Sequence, residues 1–297
     1  MKRLLTHIIL ILSLASCQKQ VTGSMDRPLL PMTLSMEIQT KVTDTEFEVG
    51  DLIGLYVVCN EDEHTEGVLK QEGNHYNNVM LKLTENGWDP SKLLWWNEDR
   101  FPESFYCYYT YSEDVSVGDY YFSVYQNQST LTNYQMSDFI CGKVGPYSPD
   151  DAPIVQLSAR HLMSKICIVI KSGHGMPKEE FDNLDIQVRI KDIVASSIVD
   201  LASSSLVADL STDTVDIIPL YKNGIWQAIV VPQIIDDANP LIQLIINGKV
   251  YNHREPFEFQ SGVQHKFTFT LQKAVDGDDF GIGDWEEEEE DYGGSAD

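Results

Sequence analysis

The chain alternates apolar and polar residues in a way that predicts β-strands along most of its length. The alternation is clearest over residues 184–191 (LDIQVRIK), and it recurs over residues 32–38 and 267–271. A period of two residues gives a strand one apolar and one polar face, as in a half-buried sheet. Helical periodicity is scarce, and only one short helix is expected, beginning near Pro177.

Short apolar runs predict a second class of strand that is buried on both faces. These runs cover residues 52–58, 105–111, 167–170, 226–231 and 241–246. Asn247-Gly248 follows the last run and predicts a hairpin, because both residues tolerate positive φ. Many short strands separated by turns indicate an all-β protein built from sandwiches.

The strand pattern is interrupted at residues 145–153, where three prolines and two aspartates occur together. Such a segment is typical of a domain boundary. We therefore expect one β-sandwich domain in residues 17–153 and a second in residues 154–285. After residue 275 the chain carries eleven acidic residues and no Lys or Arg, which predicts that residues 286–297 form a disordered acidic tail.

The first sixteen residues are typical of a secretory signal peptide. Lys2 and Arg3 precede an apolar run over residues 4–14, which is too short to span a bilayer. The run ends in Leu-Ala-Ser-Cys17 and resembles a bacterial lipobox, in which the cysteine is lipidated and becomes the first mature residue. The sequence therefore predicts export as a lipoprotein, attached to the outer membrane through acyl chains on Cys17.

Composition and charge narrow the possible partners. The chain has 46 acidic and 21 basic residues, for a formal net charge of −25. A protein that tracks phosphates needs a basic face, so we expect no nucleic-acid partner. Hydrophobic residues make up 42% of the chain and aromatic residues 10%, which is too much for a disordered acidic protein.

Four cysteines remain after Cys17, and an exported compartment would permit disulfides between them. They are Cys59, Cys107, Cys141 and Cys167. Three pairings are possible and the sequence does not choose between them. Since three of the four lie inside strand-like runs, buried thiols are the favoured interpretation.

The sequence contains no recognisable catalytic motif, so we expect neither an enzyme nor a cofactor. One acidic segment has partial EF-hand spacing, with Asp276, Asp278, Asp284 and Glu287 at loop positions 1, 3, 9 and 12. Position 5 is Phe280, which cannot bind calcium, and no helices are predicted on either side. An acidic strand end is therefore favoured over a metal site.

Aromatic residues suggest a second kind of candidate site. Trp95 and Trp96, together with Trp88 and the tyrosines of residues 106–111, could form a platform on which sugar rings stack. Aromatic residues at a period of two along strands are more often core residues and cross-strand pairs. The sugar platform is therefore the weaker interpretation of these tryptophans.

Several segments form an ordered set of short motifs along the chain: 47–56 (FEVGDLIGLY), Trp96 with 105–111 (FYCYYTY), 161–168 (HLMSKICI), 229–233 with 246–251, 259–271 and 282–285. In this order they resemble the fimbrillin family of lipoprotein-derived pilus subunits from gut and oral Gram-negative anaerobes. Cys107 and Thr110 stand where the family pattern usually has alanine and proline. Each motif is weak alone, and it is their shared order behind a lipobox that makes the resemblance specific.

This resemblance implies two transthyretin-like β-sandwich domains in tandem and a structural or adhesive role at the cell surface. In such pilins an exported trypsin-like protease removes an early strand, and a strand from a neighbouring subunit then fills the groove. The implied partners are other pilus subunits, bound by β-strand addition, and a ligand on a host or bacterial surface. A glycan-binding surface lipoprotein is the alternative function.

The basic residues between Cys17 and the first family motif are Lys19, Arg27 and Lys41. Arg27 is the favoured cleavage site for an arginine-specific protease; a cut after Lys41 would also remove the alternating strand at residues 32–38. After Trp285 the chain offers only acidic and small residues besides Tyr292, which could not fill a hydrophobic groove. We therefore favour an accessory, tip or anchor subunit over a repeating shaft subunit.

Overall fold

In a computed structural model, the protein is built almost entirely of β-strands, as the sequence predicts. The structure describes residues 28–38, 47–273, 280–282 and 286–291. The elements of the first half are β1 (Leu34–Ile38), β2 (Leu52–Cys59), β3 (Tyr76–Thr84), β4 (Gly87–Pro90), β5 (Glu103–Tyr109), β6 (Tyr120–Ser123), α1 (Leu131–Gln135), β7 (Ile140–Tyr147) and β8 (Val155–His161).

The second half continues with short strands and one short helix, which follows Pro177 as the sequence predicts. Its elements are β9 (Ser164–Ser172), α2 (Lys178–Asp182), β10 (Ile186–Val194), β11 (Ser196–Asp200), β12 (Ser205–Ala208), β13 (Thr214–Ile217), β14 (Leu220–Lys222), β15 (Ile225–Val230), β16 (Gln233–Ile235), β17 (Ile242–Ile246), β18 (Lys249–His253), β19 (Phe257–Phe259), β20 (Val263–Lys273), β21 (Phe280–Ile282) and β22 (Glu286–Asp291).

Two large sheets dominate the molecule. The first has seven strands in the order β1-β8-β7-β5-β2-β3-β4, and the second has the order β14-β15-β9-β20-β21, with β22 also paired to β20. The described residues also form a four-stranded sheet, β13-β10-β17-β18, a three-stranded sheet, β12-β11-β6, and a pair, β16-β19. The predicted hairpin at Asn247-Gly248 joins β17 to β18, and both residues have positive φ.

Contacts cross the boundary that the sequence predicts near residue 153. Strand β6 of the first half pairs with β11 of the second. One hydrophobic cluster contains residues from both halves, including Tyr108 and Phe139 on one side and Ile166 and Phe269 on the other. A second cluster also spans the boundary, because it combines residues before 153 with Val155, Leu157 and Ala159 of β8. Division into two tandem domains therefore stays a prediction.

Within the segment expected to form a disordered acidic tail, the structure describes residues 286–291. Residues 286–291 form β22, which runs antiparallel to β20 with Glu288 opposite Lys266. Strand pairing uses main-chain groups, so a run of acidic residues can extend a sheet edge without an apolar face. The edge is available because β21 pairs only with the last three residues of β20, 271–273.

Close packing of the Tyr108 ring against the β2 backbone explains the glycine at position 54 of the 47–56 segment. Gly54 lies directly opposite Tyr108 in the β2–β5 pair, and a Cβ on Gly54 would lie 2.0 Å from a Tyr108 ring carbon. The Tyr108 hydroxyl donates to the main-chain oxygen of Ser112 at 2.9 Å. Only glycine at position 54 leaves room for the ring in this place.

Within the described residues, no helix is long and apolar enough to cross a membrane.

Candidate functional site

The N-terminal segment lies in a groove at the edge of the seven-stranded sheet. Strand β1 pairs in parallel with β8, from Leu34 opposite Val155 to Ile38 opposite Ala159. The other neighbouring pairs of this sheet are antiparallel. The Val155 amide donates to the Thr33 carbonyl at 2.9 Å, which fixes the register at the start of β1.

The residues just before β1 are held from the opposite side. The Met32 amide donates to the Leu94 carbonyl, and the Trp96 amide donates to the Leu30 carbonyl, each at 2.9 Å. Pro31 forms an isolated bridge with Trp95. The segment is thus bonded through its main chain to the 94–96 loop first and then to β8.

Alternate side chains of this segment cover the apolar interior of the sheet. Leu30, Met32, Leu34 and Met36 pack against the second hydrophobic cluster described above, while Thr33 and Glu37 are exposed. The buried residues of this cluster include Leu94, Trp96, Phe105, Val155, Leu157 and Ala159. This is the two-residue period that the sequence predicts for residues 32–38, extended by Leu30 towards the N-terminus.

We name the surface beneath residues 30–36 the β1 groove; its walls are the 94–96 loop and β8. Without β1, strand β8 would become the sheet edge and present unpaired main-chain groups beside an apolar floor. Such an edge binds an extended segment through main-chain hydrogen bonds and selects alternate apolar side chains. The chemistry of the site is therefore strand recognition.

Among the described residues, the side chains of Gln156 and Tyr76 form hydrogen bonds at the β1 groove. The Gln156 side-chain amide donates to Glu37 at 2.6 Å on the outer face. The Tyr76 hydroxyl accepts from the Trp95 amide at 2.9 Å and so orients the 94–96 loop. Most of the hold on β1 therefore comes from main-chain pairing and apolar packing.

The four cysteines of the folded part are free thiols. Cys107, Cys141 and Cys167 are buried and Cys59 is half-buried. Burial raises the pKa of Cys59 and of Cys141 to about 11, and it also raises the pKa of Cys107. The buried thiols serve as small apolar residues, and Cys59, Cys107 and Cys141 stay protonated at neutral pH.

The predicted sugar platform is not present as a pair of exposed rings. Trp96 is only 3% exposed and packs edge-on against Phe105, with ring centroids 5.7 Å apart. Trp95 is half-buried and takes part in holding Pro31. The core interpretation of Trp96 is the one that the structure supports, because its ring is a buried member of the hydrophobic cluster against which residues 30–36 pack.

Other predicted site residues lie outside the described residues. These are the lipidation site Cys17, the cleavage site Arg27 and three of the calcium candidates, Asp276, Asp278 and Asp284. Glu287 falls within β22, where its main chain pairs with β20. Among the described residues, no three His, Cys, Asp or Glu side chains lie close enough to hold a metal ion.

His161, interpreted from the sequence as a structural residue, is buried, and its Nδ1 lies 2.5 Å from a carboxylate oxygen of Asp138.

The sequence does not predict the 94–96 wall of the β1 groove or the parallel pairing of β1 with β8. The pairing joins residues far apart in the chain, and the wall is a loop without periodicity. The only available signal was the apolar alternation that continues back to Leu30.

Comparison with protein families matches residues 40–285 to the family described as fimbrillin-like. Comparison with curated proteins gives no match.

Solved structures of three Bacteroides proteins share this fold. A protein described as a cell-adhesion protein of Bacteroides uniformis has a TM-score of 0.67 at 19% identity, covering 89% of this chain and 98% of its own. A second such protein, from Bacteroides ovatus, has a TM-score of 0.62 at 15% identity and coverages of 88% and 98%. A fimbrial protein of Bacteroides vulgatus has a TM-score of 0.54 at 11% identity and coverages of 88% and 99%.

Proposed function

The chain belongs to the fimbrillin-like family, and we propose that it is a cell-surface pilus component that accepts a strand from another subunit in its β1 groove. The observation that carries the proposal is the mode of attachment of residues 30–36. Residues 34–38 pair in parallel with β8, and residues 30–36 present an alternating apolar face to the hydrophobic cluster. A segment held in this way can be exchanged for another of the same pattern.

Exchange requires that β1 leave the groove. Between the end of β1 and Phe47 the chain has one basic residue, Lys41. A cut after Lys41 separates β1 from the rest of the fold, whereas a cut after Arg27 leaves β1 covalently attached. Arg27 is also followed by Pro28, and the rigid, N–H-less proline makes that bond a poor substrate for trypsin-like proteases. We therefore propose Lys41 as the releasing site in place of Arg27, since a cut after Arg27 would free only the anchor.

The proposal favours an accessory, tip or anchor subunit over a shaft subunit. A shaft subunit must also donate an apolar strand of its own. Here the residues after Trp285 are mostly acidic, and those at 286–291 are paired with β20 of the same chain. The lipid anchor at Cys17 and the outer-membrane location complete the proposal, supported by the lipobox.

The experiment is limited digestion of the lipid-free precursor with trypsin, comparing wild type with Lys41→Ala and Arg27→Ala. We expect wild type and Arg27→Ala to lose residues 28–38, and Lys41→Ala to retain them, as read by intact-mass spectrometry after gel filtration. The trimmed protein is then offered a synthetic peptide of residues 28–38. A matched peptide with Leu34→Asp and Met36→Asp is the control.

Binding of the native peptide alone supports a strand-accepting groove. Equal binding of the two peptides, or unfolding of the trimmed protein, would contradict it. SDS-resistant ladders formed by the trimmed protein on its own would contradict the accessory role and support a shaft subunit.

A further inference from the structure

A cleft opens at the edge of the second half, between α2, β10 and the β14–β15 hairpin. One cavity of about 560 Å³ is lined by Phe181, Ile186, Tyr221 and Trp226, among others. A second cavity of about 300 Å³ shares Ile186 and Trp226 with the first and adds Arg189. We name the two together the Trp226 cleft. Its combined volume is in the range of small-ligand sites.

The cleft presents aromatic faces. Tyr221 and Trp226 are opposite each other in the β14–β15 pair, and their ring centroids lie 4.4 Å apart with planes inclined at 38°. Tyr221 is 59% exposed, and Trp226 is half-buried with its ring lining both cavities. Exposed aromatic rings of this kind bind the C–H faces of sugars, while hydroxyl groups remain free for hydrogen bonds.

The cleft also presents main-chain hydrogen-bonding groups. Strand β13 pairs with β10 only from Ile190 onward, so residues 186–189 have no strand partner on that side among the described residues. On the other side, the Lys191 amide donates to Leu241 and the Asn247 amide donates to Asp185. Because bonding direction alternates along an antiparallel strand, Ile186 and Val188 direct their N–H and C=O groups to the cleft side.

Charged side chains line the cleft without giving it a strong charge. Arg189 lines the smaller cavity and Asp182 the larger. The Asp182 carboxylate accepts from Lys178 Nζ at 2.7 Å. Apolar and aromatic walls with a few convergent polar groups are typical of sites for neutral polar ligands.

The shape favours a compact ligand over a through-running strand. The unpaired edge covers four residues, a length of about 13 Å. One end is bounded by α2 and the other by Ile218-Pro219, and Pro219 cannot donate to a passing strand. From these observations we propose that the Trp226 cleft binds a short, neutral oligosaccharide.

The proposal goes beyond the proposed function and is independent of it. The cleft shares no lining residue with the β1 groove, so strand acceptance and sugar binding can succeed or fail separately.

The experiment titrates the mature chain with maltotriose, cellotriose, mannotriose and chitotriose, read by tryptophan fluorescence and saturation-transfer NMR. We expect saturable binding of at least one of them. Tyr221→Ala should weaken that binding by about tenfold, while Tyr221→Phe, which keeps the ring, should stay within about twofold. Tyr121→Ala is the matched control, because Tyr121 is similarly exposed, at 65%, but lies on β6.

Thermal unfolding of each variant checks that the fold is retained. Absence of saturable binding for all four sugars would overturn the proposal. So would equal binding by wild type and Tyr221→Ala. Tyr221-dependent binding of the peptide of residues 28–38, without any sugar binding, would instead make the cleft a strand-docking site.

Discussion

At the scale of single residues, His265 makes the stability of the folded core depend on pH. It is fully buried against Phe257 and Phe259, and its Nε2 accepts the Gln260 amide at 3.3 Å. Burial lowers the pKa of His265 from 6.5 to about 4. The folded state therefore holds the neutral imidazole at a pH where the unfolded chain is already protonated.

We expect the free energy of unfolding to fall as the pH drops from about 6.5 to about 4, by up to about 3 kcal/mol from this residue. Above pH 6.5 the contribution is fully present. His265→Gln keeps a hydrogen-bond acceptor but does not titrate, so its stability should fall less over this window. Urea denaturation across the pH range measures the difference, with exposed His64→Gln as control. Identical pH profiles for wild type and His265→Gln would contradict the expectation.

The free thiols give a second residue-scale prediction. We expect the native chain from Pro28 onward to react slowly with a thiol reagent at neutral pH, with half-buried Cys59 fastest, because burial and a raised pKa both suppress the thiolate. All four cysteines should react after denaturation without a reductant. Fewer than four reactive cysteines in the denatured chain would indicate a disulfide.

At the scale of elements, β1 has one face packed in the β1 groove and one face exposed to solvent. Leu34→Asp would place a charge against the apolar floor of the β1 groove and should weaken docking by about 1–2 kcal/mol. Thr33→Asp, one residue earlier and exposed, is the matched control. Hydrogen exchange at the Val155 amide, which the Thr33 carbonyl protects, should accelerate about tenfold in the first variant only. Similar exchange in both variants would mean that side-chain packing does not hold β1.

The elements also show what sequence can and cannot predict. Alternation predicts β10 and β20 well, because one-sided burial leaves its period in the sequence. It does not predict β22, whose acidic residues carry no apolar period and whose pairing depends on a free edge of β20. It also leaves Trp226 and Trp96 undistinguished, although one lines an open cleft and the other is buried, because exposure depends on which elements cover each ring.

At the scale of the whole molecule, Gln128 joins the two halves. Its fully buried side-chain amide donates to the Ile229 carbonyl at 2.7 Å and accepts from the Ile229 amide at 2.8 Å. Gln128→Met leaves both Ile229 groups without these bonds and should lower the free energy of unfolding by about 2–3 kcal/mol. Exposed Gln126→Met is the matched control. Chemical denaturation measures both, and an unchanged stability in Gln128→Met would contradict the bridging role.

The all-β class and the resemblance to the family could be predicted from the sequence, because both depend on short local patterns of residues. The pairing of β6 with β11 and the shared hydrophobic cluster were not. The proline-rich segment at residues 145–153 interrupts the strand pattern of the sequence. Such an interruption does not indicate which side chains on its two sides pack against each other. Burial across the two halves depends on the sum of many contacts that no single segment encodes.

The parallel pairing of β1 with β8 also has a consequence for the order of folding. Leu34 and its partner Val155 are 121 residues apart in the chain, so closing this contact fixes a long loop and is entropically costly. Strand β1 cannot dock until β8 has been synthesised and paired with β7, which makes it a late addition during assembly. Until then its apolar face is exposed, and an exported chain would need protection from aggregation over that interval.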